Sequence, residues 1–185
     1  MSWRRPEPDP YLELTDDAAL RDAVAARTEE RRRRELAAEF ATWTGTLRDL
    51  AERAVPVVVD VAGAHAHRGV LAAVGLDHLA VRLHAGMVVL VATDVVRTVR
   101  PEPGQAAPVA TGDRERSQDR TLVEALVRVA EDRIRVGVAF RDVDDLATGQ
   151  LVGLGEDVLT LRVDGVDQAT IYAPTAAIRE VLLDP

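Results

Sequence analysis

One stretch of this sequence occurs twice, and the duplication limits the fold more than any other feature. Residues 69–83 read GVLAAVGLDHLAVRL and residues 149–163 read GQLVGLGEDVLTLRV, so Gly, Gly, Asp, Leu and Arg recur at identical spacings. After the Asp, apolar residues alternate with other residues in both copies, which is typical of a β-strand. The sequence therefore predicts two copies of one small β unit.

The residues shared by the two copies are interpreted as turn formers. The first Gly permits a strongly bent strand, and the Gly-x-Asp segment makes a tight turn into the next strand. Any small β-barrel needs such turns, so the shared residues indicate a structural role. They are Gly69, Gly75, Asp77, Gly149, Gly155 and Asp157.

A helix and further strands extend the repeat on both sides. Thr121 and Glu124 have the spacing of a capping box, which predicts the start of a helix. The apolar stripe of this helix lies 79 positions after a similar stripe, so that Leu122, Leu126 and Val129 fall on Trp43, Leu47 and Leu50. The predicted repeat unit is one helix and five strands, at residues 43–99 and 122–182.

The chain is predicted to have five parts. Thr15 is a good N-cap, and no Gly or Pro follows it until Gly45, which predicts one long helix. Segments with several Pro and no hydrophobic period are interpreted as a tail and a linker. The parts are a tail at 1–14, a long N-terminal helix at 15–55, a first barrel at 56–100, a linker at 101–117, and a cap helix with a second barrel at 118–185.

The two halves of the long helix differ in their apolar surface. In the first half, Leu20 and Val24 form a thin stripe, and the run Arg31, Arg32, Arg33 and Arg34 has Glu partners at i,i+4 spacing. We interpret the Arg run as a solvated, self-paired surface rather than a phosphate-binding strip. In the second half, steps of four and three residues predict one apolar face, made of Leu36, Phe40, Trp43, Leu47 and Leu50.

A helix followed by five short strands, with a turn before the last strand, resembles the Sm-like and SH3-like small β-barrels. The resemblance implies an α+β, mostly β fold with two helix-capped, five-stranded barrels in tandem behind a long N-terminal helix. Sm-like proteins form oligomeric rings that bind RNA, but their base-binding Asp and Asn are replaced here by Gly75 and Leu79. RNA binding is therefore not carried over residue by residue. The ending Tyr172-Ala173-Pro174 is similar to that of PRC-type barrels, which are commonly protein-docking modules.

Composition and charge restrict the class of protein. The formal net charge is -8, and residues 101–185 carry 9 Arg against 16 acidic residues, which argues against a protein dominated by phosphate contacts. All 23 basic residues are Arg, which indicates a G+C-rich bacterial genome. There is no Cys, no signal peptide is predicted, and no apolar run reaches the roughly 20 residues of a membrane span. We expect a cytoplasmic protein that does not contact a membrane.

Candidate ligand and catalytic residues are few. His65 and His67 have a spacing that suits a metal, but no acidic residue stands beside them as a third ligand, so solvated loop histidines are the preferred interpretation. His78 and His84 are predicted on the outer face of the same barrel. No nucleophile elbow, phosphate loop or dinucleotide motif is present. We expect no enzyme, no metal site and no cofactor.

The leading functional hypothesis is a non-enzymatic adaptor or assembly module that binds another protein. Its expected contact residues lie on the long helix, because that helix is longer than one small barrel can cover. They are Leu20, Val24, Arg31, Arg32, Arg33 and Arg34. A homo-oligomer is a further expectation, and the disfavoured alternative is a divergent Sm-like RNA-binding protein.

Overall fold

The computed structural model describes residues 10–105, 120–143, 145–165 and 169–183. Of residues 10–16 and 37–38 only the backbone is described. The helices of these ranges are α1 (Pro10–Glu39), α2 (Trp43–Glu52) and α3 (Leu122–Glu131). The strands are β1 (Pro56–Val61), β2 (His67–Val74), β3 (His78–Leu83), β4 (Val88–Ala92), β5 (Val96–Pro101), β6 (Arg135–Phe140), β7 (Leu146–Leu154), β8 (Val158–Val163), β9 (Thr170–Pro174) and β10 (Ile178–Leu183).

The long helix predicted at 15–55 occurs as two helices. Thr42 is extended, with φ -101° and ψ 156°, and its Oγ1 accepts a hydrogen bond from Gly45 N at 3.0 Å. Because this side chain satisfies a first-turn donor, the chain starts a new helix at Trp43. The first helix begins earlier than predicted, at Pro10, a residue whose missing N–H is tolerated in the first turn.

The break at Thr42 divides the apolar face that was predicted for the second half of the long helix. Leu47 and Leu50 are buried, at 1% and 2% exposure. The outer part of the prediction is wrong, since Leu36, Phe40 and Trp43 are 47%, 74% and 44% exposed. Leu36 and Phe40 precede α2, and Trp43 is its first residue. They therefore do not belong to the face of α2 that packs on β2.

The strands form one ten-stranded antiparallel sheet in the order β5-β1-β2-β3-β4-β10-β6-β7-β8-β9. The prediction of an α+β, mostly β protein is confirmed. Each repeat contributes five neighbouring strands in the same internal order, and β4 of the first repeat pairs with β10 of the second. Among the described residues the sheet is not closed, because β5 and β9 each pair on one side only. Two separate barrels therefore stay a prediction.

Both repeats share the same local details. A 3-10 turn joins the last two strands in each, at Thr93–Val95 and at Thr175–Ala177. The first residue of each turn donates its backbone N–H at 2.8 Å to the carbonyl of Asp77 or Asp157. The capping box predicted at Thr121 and Glu124 is confirmed, with both reciprocal hydrogen bonds present.

The buried apolar residues form two clusters that do not divide strictly between the repeats. The first cluster joins Leu47 and Leu50 of α2 to strands of the first repeat. The second cluster centres on α3 but also contains Ala80, Leu90 and Ala92 from the first repeat. The prediction that His78 lies on an outer face is wrong, since it is 2% exposed, and Ala80 on the same face of β3 is 8% exposed. The second repeat covers this part of β3.

The first Gly of each repeated stretch is needed because two backbones approach closely. A Cβ atom added to Gly69 would overlap the carbonyl oxygen of Arg82, and one added to Gly149 would overlap that of Arg162. In both repeats the strand pairing shifts register two residues later, which marks a β-bulge. The bent strand predicted from the sequence therefore depends on a missing side chain.

Replacing Gly69 or Gly149 by Ala is expected to lower the free energy of unfolding by about 1–3 kcal/mol, because the neighbouring backbone must move. Gly153 is the matched control, since a Cβ there meets nothing within 4 Å. Urea denaturation of the three variants measures the difference. Equal stability of the Gly149→Ala and Gly153→Ala proteins would contradict this account.

Candidate functional site at the junction between the repeats

The most distinctive polar groups of the structure lie at the junction, which we define as the β4–β10 ladder and the side chains around it. The ladder pairs Glu180 with Val91, Val181 with Leu90, Leu182 with Val89 and Leu183 with Val88. Leu90 and Ala92 are only 6% and 5% exposed because the second repeat lies against them. A cavity opens on each side of this ladder.

Asp77 is more than a turn former, because its carboxylate reaches across the junction. Its Oδ1 accepts a hydrogen bond at 2.6 Å from the backbone N–H of Leu122, the first residue of α3. Next to it, Leu76 N donates to the carbonyl of Arg120 at 2.9 Å. A carboxylate at a helix N-terminus satisfies an unpaired N–H and faces the positive end of the helix dipole. Asp157 occupies the same position in the second repeat and is exposed.

An ion pair at the first cavity also joins the two repeats. Arg141 donates two hydrogen bonds to the Asp94 carboxylate, at 2.8 and 2.7 Å. These donors hold the pKa of Asp94 below its ordinary value of 3.8, and the carboxylate raises the pKa of Arg141. The cavity has a volume of about 750 Å³ and is also lined by Leu76 and Val123.

Replacing Asp94 by Asn is expected to destabilise the protein at pH 7 by at most about 1 kcal/mol, because the pair is largely exposed to solvent. A carboxylate whose pKa is lowered by folding stabilises the protein above its ordinary pKa, here 3.8, and stops doing so as the pH falls through the lower value. Urea denaturation of the wild type and the variant should therefore differ at pH 7 and converge in strong acid. Asp17→Asn, in an exposed pair on α1, is the control. A difference that does not depend on pH would contradict the prediction.

The second cavity contains a buried charged group. It has a volume of about 650 Å³ and is lined by His65, His67, Arg97, Arg179 and Glu180 together with apolar residues. His67 Nε2 lies 2.6 Å from Glu180 Oε2, and Arg179 Nη2 lies 3.7 Å from Glu180 Oε1. Arg179 Nη1 donates to the carbonyl of Gly63 at 2.5 Å. The prediction that His67 is a solvated loop histidine is wrong, since its side chain is 14% exposed and lies against Glu180.

The chemistry of this cavity is that of a positively charged, hydrogen-bonding surface. Arg179 has a buried Nε without a partner among the described atoms, and Arg97 is exposed at the same cavity. Two guanidinium groups stand against one carboxylate, an arrangement that favours an anionic group over a cation. Within the described residues, no cluster of three or more His, Asp or Glu is arranged to hold a metal ion.

Replacing Glu180 by Ala is expected to destabilise the protein by about 3–5 kcal/mol, because it leaves the buried Arg179 without its carboxylate. Glu180 and Arg179 side chains are each 7% exposed, which makes their separation costly. Glu156→Ala is the matched control, because Glu156 is exposed in a turn and its loss should change stability by less than about 0.5 kcal/mol. Thermal or urea unfolding compares the two, and equal effects would contradict the prediction.

The residues proposed as partner contacts lie on α1, away from the junction. Leu20 and Val24 are 64% and 53% exposed, and α1 has no extended packing on another described element. In the Arg run, ion pairs within α1 join Arg31 to Glu35, Arg33 to Glu29 and Arg34 to Glu30, and Arg32 is exposed. Within the described part of the chain, no helix is both long and apolar enough to cross a membrane.

The structure brings some of the predicted residues together and separates others. Asp77 lies at the junction, whereas Asp157 lies at the far end of the second repeat. Most of the linker predicted at 101–117 falls outside the described residues. Sequence reasoning missed Asp94, Arg141, Arg179 and Glu180. Their partners across the junction are 47 to 116 positions away in the chain, so no local pattern pointed to them.

Comparison with protein-family models, curated proteins and solved structures gave no match for this chain.

Proposed function

We propose that this protein is a non-enzymatic adaptor or assembly module of the bacterial cytoplasm, which binds another protein through α1 and the surfaces of its repeats. The observation that carries the proposal is the exposure of α1. Every described side chain from residue 17 to residue 36 is exposed, over about two thirds of the helix length. A helix that packs on no other described element of its chain is available to a partner.

The ion pairs of α1 explain how such a helix persists without a supporting core. Pairs at i,i+4 spacing, such as Arg31 with Glu35, each stabilise a helix by about 0.3–0.5 kcal/mol. Because several Arg side chains are engaged in this way, the Arg run is a poor strip for phosphate. Leu20 and Val24 lie one turn apart on the same side of α1, and both are exposed. A partner with an apolar groove or an amphipathic helix would cover them.

The relation to Sm-like and SH3-like barrels remains part of the proposal. Three observations support it: a capping helix before each set of strands, five strands in the same order in both repeats, and a 3-10 turn before the last strand. A strongly bent five-stranded unit would also explain the close approach at Gly69 and Gly149. Small barrels of this kind commonly act by binding through their surfaces, which agrees with an adaptor.

RNA binding is a second candidate, because three aromatic side chains are exposed. Phe40, Trp43 and Tyr172 are 74%, 44% and 72% exposed, and such rings are surfaces on which bases stack. Arg97 and Arg179 at the second cavity add positive charge. The formal net charge of -8 and the missing Sm-type base pocket favour the protein partner.

The test compares what the full chain and two variants capture, with and without RNase. Deleting residues 1–35, or combining Leu20→Arg with Val24→Arg, is expected to remove the same captured proteins while the circular dichroism of the strands stays unchanged. Arg21→Ala is the control on the same helix, and it should leave capture intact. Capture that survives both α1 variants would refute the role of α1, and capture that disappears with RNase would favour RNA.

A further inference from the structure

The chain carries the two halves of a second junction at opposite ends of its sheet. The register of the sheet makes β9 the counterpart of β4, and β5 the counterpart of β10, since His78 pairs with Ala92 as Val158 pairs with Pro174. Strands β4 and β10 bind each other within the chain. In the described part of the chain, β5 and β9 are the free edges of the sheet. A second copy placed head to tail would bring them together in the same arrangement.

The contact made by Asp77 has an unused copy. The carboxylate of Asp77 accepts a hydrogen bond from the backbone N–H of Leu122. Because this donor is a backbone group, any helix N-terminus in the same position could make the contact, whatever its side chains. In the second repeat the same position is Asp157, which is exposed next to the free edge β9. The counterpart of Leu122 is Trp43, the first residue of α2. Asp157 of one copy would therefore bind Trp43 N of the next copy.

The contact made by Arg179 also has an unused copy. Arg179 crosses the junction to the carbonyl oxygen of Gly63, again a backbone atom. Its counterpart on β5 is Arg97, which is exposed. The counterpart of Gly63 is Asp142, which has the same positive φ in the turn after β6 (58° against 68°). Arg97 of the second copy would donate to the backbone carbonyl of Asp142.

Exposed aromatic residues stand where the junction has buried leucines. Leu122 and Leu90 are 5% and 6% exposed because they meet across the two repeats in one apolar cluster. Their counterparts are Trp43 and Tyr172, which are 44% and 72% exposed. Head-to-tail contact would bury both rings and remove their apolar area from water.

Charge favours the same contact, and other differences make it weaker than the junction. The β5 edge carries the exposed Arg97 and Arg100, and the opposite edge carries the exposed Glu156 and Asp157 in the turn before β8. The ion pair of Asp94 with Arg141 has no equivalent, because both counterparts are Ala, and Pro101 has no N–H to donate at the end of β5. The second contact is therefore reversible and depends on protein concentration.

From these observations we infer that β9 of one chain binds β5 of a second copy of the same chain, head to tail. The surface is made of β9, Asp157 and Tyr172 on one copy, and of β5, Arg97 and Trp43 on the other. This inference does not depend on the partner of α1. It commits to antiparallel pairing in which Val99 faces Tyr172 and Arg100 faces Ile171, the counterparts of pairs seen in the junction.

Disulfide trapping tests the register directly, because the chain has no Cys. Directly opposite residues on antiparallel strands have Cα atoms about 4.5–5.5 Å apart, which suits a disulfide. Arg100→Cys and Ile171→Cys proteins, prepared separately, are expected to form a linked dimer under oxidation only when they are mixed. The combined variant should give a ladder of linked multimers. Failure of the mixture to link, or equal linking of each variant with itself, would overturn the inference.

Light scattering of the full chain over a range of protein concentrations gives the second test. The N–H of Glu102 points towards β1, because it donates to the carbonyl of Pro56. Successive residues of a strand direct their N–H groups to opposite sides, so the N–H of Val99, three residues earlier, points away from β1 to the free edge. Val99→Pro thus removes an N–H that β1 does not use, and it is expected to abolish assembly while the protein stays folded. Asp157→Ala should raise the dissociation constant roughly tenfold.

Two further outcomes of the light-scattering experiment would count against the head-to-tail contact. A wild-type protein that remains monomeric at every concentration would overturn it. An oligomer that survives Val99→Pro but disappears when residues 1–35 are deleted would also overturn it, because assembly would then run through α1. The control is Val24→Arg, which lies on α1 and should leave the assembly unchanged.

Discussion

The ladder between β4 and β10 is the interaction on which the rest of the structure depends. It joins the last strand of the second repeat to the fourth strand of the first, and so converts two five-stranded units into one sheet. The same contact turns the outer face of β3 and β4 into an interior, where His78, Ala80 and Leu90 are buried. Without that ladder, the cavities and the buried charges beside it would not exist.

Backbone pairing alone does not decide how two edges meet, because every strand offers the same groups. A slip by one residue would exchange the faces of the whole strand. At the junction, side chains on both sides of the ladder fix the register: Asp94 with Arg141 at one cavity, and Glu180 with His67 and Arg179 at the other. Buried charges that are paired in only one register make the alternatives costly, which is a specificity role rather than a gain in stability.

The internal repeat allowed much of the fold to be predicted, because the spacing of apolar residues reports which side chains share a face. The start of α3, the order of elements and the need for Gly69 and Gly149 all follow from that pattern. The alternation of apolar and polar residues along a strand does not show what covers its second face. For this reason the sequence predicts His78 on an outer face, although the second repeat covers it. The break at Thr42 is not predicted, because helix-favouring Ala, Leu, Glu and Arg dominate the sequence on its N-terminal side. Contacts such as His67 with Glu180 join residues 113 positions apart and left no trace in local sequence.

Covalent linkage gives the junction a property that separate repeats would lack. Two repeats on one chain meet at an effective concentration set by the segment that joins them and not by the protein concentration, so the junction forms however dilute the protein is. The linkage also acts on symmetry. Each chain contributes two repeats that are similar but not identical, so any closed head-to-tail assembly of whole chains contains an even number of repeats, and its rotational order is half that number. Rings with an odd number of repeats are excluded by the duplication itself.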